Sequence, residues 1–237
     1  MRVLEGTSAV VTGASRGIGL AIARAIAADG ARVALLARPS DALRAAADAL
    51  EGRGIAIPCD LTRPDDVDAA LGDIERAMGV PHLLVNNAGA FALGAIGAMH
   101  PVEVEQLLSL NLVAPYRLMH AMVPRMRARG SGHVITIGSI ADRQAFPENA
   151  AYAAGKFGAR AMHEILRQEL RGTGVRVSLV SPGPVDTALW DPIHPESRPG
   201  FTPRSEMLRA EAVADAVVWV ATRAREVNID ELRLSHS

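Results

Sequence analysis

Residues 8–19 read Ser8-Ala9-Val10-Val11-Thr12-Gly13-Ala14-Ser15-Arg16-Gly17-Ile18-Gly19. A short apolar run rich in β-formers breaks on a glycine turn, and an alanine-rich helical stretch follows over 17–28. Glycines there let the backbone bend sharply and approach a phosphate. The free N–H groups and dipole of a helix start favour an anion. Strand, glycine turn and helix in this order form the opening of a nucleotide-binding βαβ unit. The spacing is Gly-x-x-x-Gly-x-Gly, so it is not the usual dinucleotide fingerprint Gly-x-Gly-x-x-Gly.

The same alternation continues along the chain. The pattern predicts further strands over 32–37, 54–59, 82–86, 133–138, 175–180 and 227–234. Helices are predicted over 41–50, 64–78, 102–127, 151–171 and 210–221, with Pro115 and Pro124 able to bend or interrupt the long third one. Continuous apolar strands separated by helices call for a parallel sheet covered on both faces. The expectation is one α/β domain over 1–237, a Rossmann-type doubly wound sheet with no internal repeat. Residues 182–203 are rich in proline and read as a long irregular segment, and loops of that length are usually functional or mobile.

Composition narrows the function classes. The formal net charge of 237 residues is −1, with no basic surplus to suit nucleic acid or an anionic membrane surface. Arg127 and Arg129 sit near a predicted helix end, where solvated cations are expected. Cys59 is the only cysteine, which excludes an intramolecular disulfide and argues against a cysteine-based zinc site. No signal-like start and no bilayer-length apolar run is present, so a cytoplasmic protein is expected.

The end of the second strand bears on the cofactor. An acid there grips a ribose 2′-hydroxyl, whereas an arginine nearby accommodates a 2′-phosphate. This chain has Ala37 then Arg38, and it has Arg16 inside the glycine turn. Two cations and no carboxylate favour NADP(H) over NAD(H), unless both arginines are merely solvated. Asp60, followed by Leu61, ends the third strand and suits either an adenine amino group or a turn cap. Asn86-Asn87-Ala88-Gly89 ends the fourth; small residues there allow close cofactor approach, and the amides can lock neighbouring strands. Asn86 reads as structural, and Asn87 suits both tasks.

Tyr152 stands four residues before Lys156, and Ser139 lies thirteen upstream of the tyrosine. Tyrosine is a poor base near neutral pH, its unperturbed value being roughly 10. A cation one helical turn away lies on the same face and favours the phenolate. A serine hydroxyl nearby would hold a carbonyl or alcohol oxygen. Tyr152 and Ser139 could instead be packing residues and Lys156 a solvated lysine. Lys156 is the sole lysine, however, so the chain keeps an ammonium here where it uses guanidinium everywhere else.

These motifs together resemble the short-chain dehydrogenase/reductase family over essentially the whole chain: the Thr-Gly-x-x-x-Gly-x-Gly turn, Asn-Asn-Ala-Gly, a mid-helix asparagine, the serine, Tyr-x-x-x-Lys and Pro-Gly-x-Val-x-Thr occur in the family's order. The resemblance implies that Tyr152 is the general acid/base, that Lys156 supports it and bonds the nicotinamide ribose, and that Ser139 orients the substrate oxygen. Asn111 would hold a water linking Lys156 to solvent. The cofactor would rest on Gly13, Ser15, Arg16, Gly17, Ile18, Gly19, Arg38, Asp60, Leu61, Asn87, Ala88 and Gly89. Pro182, Gly183, Val185 and Thr187 would line the nicotinamide, and no metal is needed. Gly138 departs from the Ser-Ser that many members carry before this segment, and the ending 227–232 resembles a branch acting on 3-hydroxy acids and similar small compounds.

Candidate substrate residues are Phe91, Gln144, Phe146 and Trp190, with residues 184–205 as a lid; Arg143 either meets a substrate carboxylate or sits in solvent. The resemblance also implies a homodimer or homotetramer. Ala159, Met162, Ile165, Leu166 and Leu170 make an apolar stripe, a pattern more often core than interface. The reading is therefore an NADP(H)-dependent enzyme interconverting a carbonyl and a secondary alcohol. The alternative is a non-catalytic NADP(H)-binding sensor, which would be expected to lose the tyrosine or lysine.

Overall fold

A computed structural model of the chain describes residues 2–237. Strands β1 (Ser8–Thr12), β2 (Arg32–Ala37), β3 (Gly54–Pro58), β4 (Leu83–Asn86), β5 (Gly132–Ile137), β6 (Val175–Pro182) and β7 (Glu231–Leu234) form one parallel sheet. Their order is β3-β2-β1-β4-β5-β6-β7. Successive residues feed opposite cores. Ala9, Val11, Val33, Leu35, Leu83 and Val85 face a layer built on α1 (Gly17–Ala28), α2 (Asp41–Asp48) and α7 (Ala210–Ala221). Val10, Ala34, Leu36 and Leu84 face the other side, where α3 (Pro64–Met78) and α5 (Ala114–Arg129) pack. Both faces are buried, which is why the strands carry no polar alternation. The single α/β domain expected from the sequence is what the chain forms.

The long helix expected over 102–127 is divided. Helix α4 (Pro101–Leu108) passes into a π-helical turn, Ser109–Val113, before α5 begins. Pro115 explains the position. A proline has no N–H for the carbonyl four residues back, here Asn111, and its ring crowds that carbonyl. A wider turn absorbs the misfit. Helix α6 (Ala150–Glu169) packs on β6 and on the π turn. Its stripe is mainly core: Ala159 and Leu170 are buried, Met162 and Leu166 pack against the core, and Ile165 alone is exposed.

The last strand is shorter than expected, covering only Glu231–Leu234. Just before it, Asn228 substitutes for backbone pairing: Oδ1 accepts from Val177 N at 2.9 Å, and Nδ2 donates to Val177 O at 3.0 Å. Strand β6 runs two residues further than expected, to Pro182. The proline-rich segment after it is not featureless. It holds the 3-10 turns Ala188–Trp190, Pro195–Ser197 and Arg204–Glu206, and Val185 bridges to Leu208. No helix among the described residues is long and apolar enough to cross a membrane.

Candidate active site

Strand β1 lies between β2 and β4, so the chain's crossovers leave it in opposite directions and open a crevice beyond the C-terminal strand ends. The register brings those ends level: Thr12 lies beside Leu36, Asn86 beside Thr136, and Thr136 beside Leu179.

One side of the crevice is the glycine turn. Gly13 and Gly17 adopt φ of 66° and 55°, the left-handed region that glycine tolerates. A Cβ at Gly13 would lie 3.0 Å from Ala88 Cα and Asn87 Nδ2, and one at Gly19 would collide with the Gly13 carbonyl. Thr12 ties the turn to β4. Its Oγ1 accepts from Asn87 N at 2.9 Å and Ala88 N at 2.8 Å, while Asn87 Nδ2 donates to Thr12 O at 2.8 Å. Strand locking thus falls to Asn87. The buried Asn86 amide, expected to do this, has no hydrogen-bond partner.

Helix α1 starts with no side-chain cap and no acid in its first turn. Its first N–H groups are therefore open to an anion. Ser15 and Ile18 flank that start half-buried, and Ile18 packs on the core. Arg16 and Arg38 are exposed, and neither joins an ion pair among the described residues. The residues thus suit a dinucleotide: a cradle that a Cβ would fill, open amides and two uncommitted cations.

Two of the expected cofactor residues also have partners within the fold. Asp60 Oδ1 accepts from Thr62 N at 3.0 Å and Thr62 Oγ1 at 2.7 Å, which is the turn-capping reading. Those bonds, with Arg38 and Arg63 nearby, hold its carboxyl below the usual range despite partial burial. The Leu61 side chain is buried in the core, so only its backbone remains for a ligand.

The other side gathers the candidate catalytic residues. Tyr152 and Lys156 occupy successive turns of α6, with Nζ 5.7 Å from the tyrosine ring centroid. Lys156 is only 7 % exposed, and its Nζ donates to the Ile137 carbonyl at 2.9 Å. No carboxylate pairs with it among the described residues. Ile137 closes β5; Gly138 and Ser139 follow at once. Ser139 caps the 3-10 turn Ile140–Asp142, its Oγ accepting from Ala141 N at 3.1 Å. Asn111, in the π turn, clamps the loop after Gly89: Oδ1 accepts from Ala90 N at 3.1 Å and Nδ2 donates to Ala90 O at 2.9 Å. Its side chain is committed to Ala90 through both ends of the amide.

The expected substrate residues separate into two sets. Phe91 meets the Tyr152 ring edge-on at 4.9 Å, and Trp190 meets Phe91 at 5.2 Å. Phe201, within the segment expected as a lid but not singled out as lining, extends the row against Trp190 at 6.4 Å. Trp190 Nε1 donates to Val185 O at 3.0 Å. Gln144 and Phe146 are exposed and stand outside this row. Thr187 approaches the glycine turn, its Cγ2 lying 3.4 Å from where a Cβ on Gly17 would be. Gly183 N donates to Leu234 O at 2.8 Å, which ties that loop to β7.

Arg143 is largely withdrawn from solvent, and its buried Nη2 has no hydrogen-bond partner among the described residues. Its Nε donates to Asp142 Oδ1 at 2.7 Å, and Nη1 pairs with Glu231. Arg204, which the sequence analysis did not single out, gathers Asp186, Asp191 and Glu196 around the segment 184–206. Cys59 is buried, and burial with Asp66 and Asp60 nearby pushes its thiol up to about 11, so it is no nucleophile.

A doubly wound α/β domain with a glycine cradle and a tyrosine–lysine pair at its crevice defines a class before any comparison. A family model described as short chain dehydrogenase matches residues 7–198. The chain belongs to that family of oxidoreductases. It is 35 % identical over 186 residues to the ketoacyl reductase HetN of Nostoc sp., covering 77 % of this chain but only 65 % of that protein. It is 31 % identical to an uncharacterised oxidoreductase of Staphylococcus aureus, covering 98 % of both. Among solved structures, a metagenomic short-chain oxidoreductase in complex with NADP is 36 % identical, with a TM-score of 0.84, covering 99 % of this chain and 100 % of that one. An alcohol dehydrogenase from the archaeon Thermococcus sibiricus, complexed with 5-hydroxy-NADP, is 29 % identical with a TM-score of 0.86, covering 97 % and 96 %.

Proposed function

We propose that this protein is an NADP(H)-dependent oxidoreductase that interconverts a carbonyl and a secondary alcohol, with Tyr152 as general acid/base. The observation that carries the reading is Lys156: a buried ammonium held by one neutral carbonyl, one helical turn from a tyrosine. A buried charge is costly unless its donors are engaged. The remaining N–H groups of Lys156 call for a polar ligand, and a ribose diol answers that need. Arg16 and Arg38, with no carboxylate at the end of β2, support a 2′-phosphate. The NADP and 5-hydroxy-NADP in two structural relatives support the same choice.

A bound nicotinamide supplies the hydride. The chain's own residues supply the rest. Tyr152 gives its proton to the carbonyl oxygen in reduction and takes one from the hydroxyl in oxidation. Ser139, whose oxygen already accepts from Ala141, has its O–H proton left to donate to the substrate oxygen as negative charge develops. Lys156 sets its Nζ one helical turn from the phenol, and the Asn111 backbone carbonyl holds the water that returns protons from solvent. Val185 and Thr187 receive the nicotinamide carboxamide.

Phe91, Trp190 and Phe201 support a flat or apolar carbonyl compound, with residues 184–205 as the lid over it. Tyr116, Phe157 and Ile165 are exposed on α5 and α6, which supports a homo-oligomer, and light scattering reads its size.

The test is NADPH consumption against ketones, diketones and 3-oxo acids, with the matching alcohols in reverse. Turnover with NADPH well ahead of NADH is expected. Tight NADPH binding with no turnover across the panel would replace the enzyme with a sensor.

A further inference from the structure

Behind Ser139 lies a buried network that the proton-transfer reading does not use. Asp142 is fully buried. Its Oδ2 accepts from Ser139 N at 3.2 Å and from Ser181 Oγ at 2.5 Å, and its Oδ1 accepts from Arg143 Nε at 2.7 Å. Arg143 reaches on to Glu231 at the start of β7. One carboxylate thus joins the end of β5, the end of β6 and, through Arg143, the last strand.

We propose that Asp142 is a positioning residue that fixes the polarity and direction of the Ser139 hydroxyl, a role that rests on the oxidoreductase reading above. Three observations carry it. First, the capping box divides the roles at Ser139. The backbone N–H goes to Asp142 and the Oγ lone pair to Ala141, so the O–H proton is the group that remains for a substrate oxygen. Second, a cap alone does not call for this apparatus. A neutral asparagine or serine caps a short turn as well, whereas here a buried carboxylate takes three donors, two from the ends of its own turn and one from β6. Third, the sequence makes room for it. A Cβ at position 138 would collide with Ser181 Oγ and lie 2.5 Å from Asp142 Oδ2. Gly138, the departure from Ser-Ser, is the residue that lets Asp142 and Ser181 meet.

Arg143 completes the electrostatics. A bare carboxylate behind Ser139 would oppose the negative charge that develops on the substrate oxygen during reduction. The guanidinium on Oδ1 offsets that field, and Glu231 and Asp142 hold it in place. The C-terminal strand is thereby tied to the oxygen site, a task its sequence does not announce.

The experiment is a double-mutant cycle between Asp142→Asn and Ser139→Ala, with Tyr152→Phe and the unaltered protein alongside. Readouts are kcat and KM for a reduced ketone, NADPH affinity by fluorescence and melting temperature. Asp142→Asn cannot accept all three donors. We expect kcat to fall by about 10–100-fold, the scale of a displaced reacting group, with NADPH affinity within about twofold. The double variant should be no slower than Ser139→Ala alone, because Asp142 acts through Ser139. A fall that multiplies the two single effects would make Asp142 merely structural, and an undiminished kcat in Asp142→Asn would overturn the proposal outright. Should Asp142→Asn fail to fold, Ser181→Ala removes one bond, keeps the Asp142–Arg143 pair and enters the same cycle. Tyr152→Phe keeps the two readings apart: if it stays active the proton-transfer mechanism falls, whereas a dead Tyr152→Phe with a multiplicative Asp142 cycle overturns only the positioning role.

Discussion

The two sides of the crevice hold their outward-facing groups by different means. On the nucleotide side those groups are backbone amides and small residues, tied by Thr12 to the end of β4. On the oxygen side they are side chains, tied by buried charges: Lys156 on a carbonyl, and Ser139 above the Asp142–Arg143 pair. A ligand that must be gripped equally in every state of the reaction suits a fixed backbone cradle. A substrate whose oxygen changes charge suits donors held in a low-dielectric setting, where they act most strongly on developing charge.

The largest effect that separates the sides is Tyr152→Phe. It removes the proposed proton donor and leaves the ring on Phe91. We expect kcat to fall by about 10²–10⁴-fold, the usual range for general acid–base catalysis. NADPH affinity, measured by fluorescence titration, should stay within about twofold. A matching loss of NADPH affinity would mean that the two sides are not separable.

Arg38→Ala probes the opposite side. A charge-assisted bond to a 2′-phosphate amounts to about 1.5–3 kcal/mol, so the KM for NADPH should rise about 10–100-fold. The KM for NADH should hold, and kcat should hold with both. An equal rise for NADH would show that the arginine serves the fold rather than the phosphate.

Next in size is Trp190→Ala. It cuts the row between Phe91 and Phe201 and frees the Val185 carbonyl. Aromatic pairs contribute about 0.5–1.5 kcal/mol each. The loss in kcat/KM should be about 10-fold for aryl ketones and smaller for short aliphatic ones. A uniform loss would make Trp190 an anchor of its loop and no wall of the pocket.

The same contrast governs what could be read from sequence. The sheet, the helices and the nucleotide side depend on local rules: apolar runs, a glycine turn after β1 and an arginine after β2. These sit close together in the chain and need no tertiary knowledge. The pair Tyr152 and Lys156 was equally legible, because four residues on one helix share a face. The long-range ion pairs that support the oxygen side and the segment 184–206 were not. Arg143 meets Glu231 across 88 residues, and Arg204 meets Asp186 across 18. Nothing near either arginine in sequence sets it apart from its solvated neighbours. Phe201 left one unused signal: it is one of only four phenylalanines and lies among the prolines of the segment 182–203. The division of residues 102–127 was half-visible. Pro115 announced a disturbance, but only the structure shows a π turn that aims Asn111 at Ala90.

Asp60 offers the smallest test, and it asks whether a carboxylate on the nucleotide side serves the ligand or the fold. Thr62 engages Oδ1 twice, and the carboxyl is held below its usual range chiefly by those bonds. The sign follows from that direction. A depressed folded-state value stabilises the fold fully above the unfolded value of about 3.9, and the contribution disappears as pH falls through the folded-state value. Replacing the carboxylate by Asp60→Asn should remove about 1 kcal/mol or less, which is about 2–4 °C at most in a domain of this size. Melting curves should show that gap at pH 7, show it narrowing as pH falls below ~4, and show it closed once pH has passed the lower folded-state value, where the aspartate itself becomes neutral. NADPH affinity should change by less than about threefold. A drop well beyond that, with the melting temperature unmoved, would return Asp60 to the adenine and give the nucleotide side a charged contact of its own.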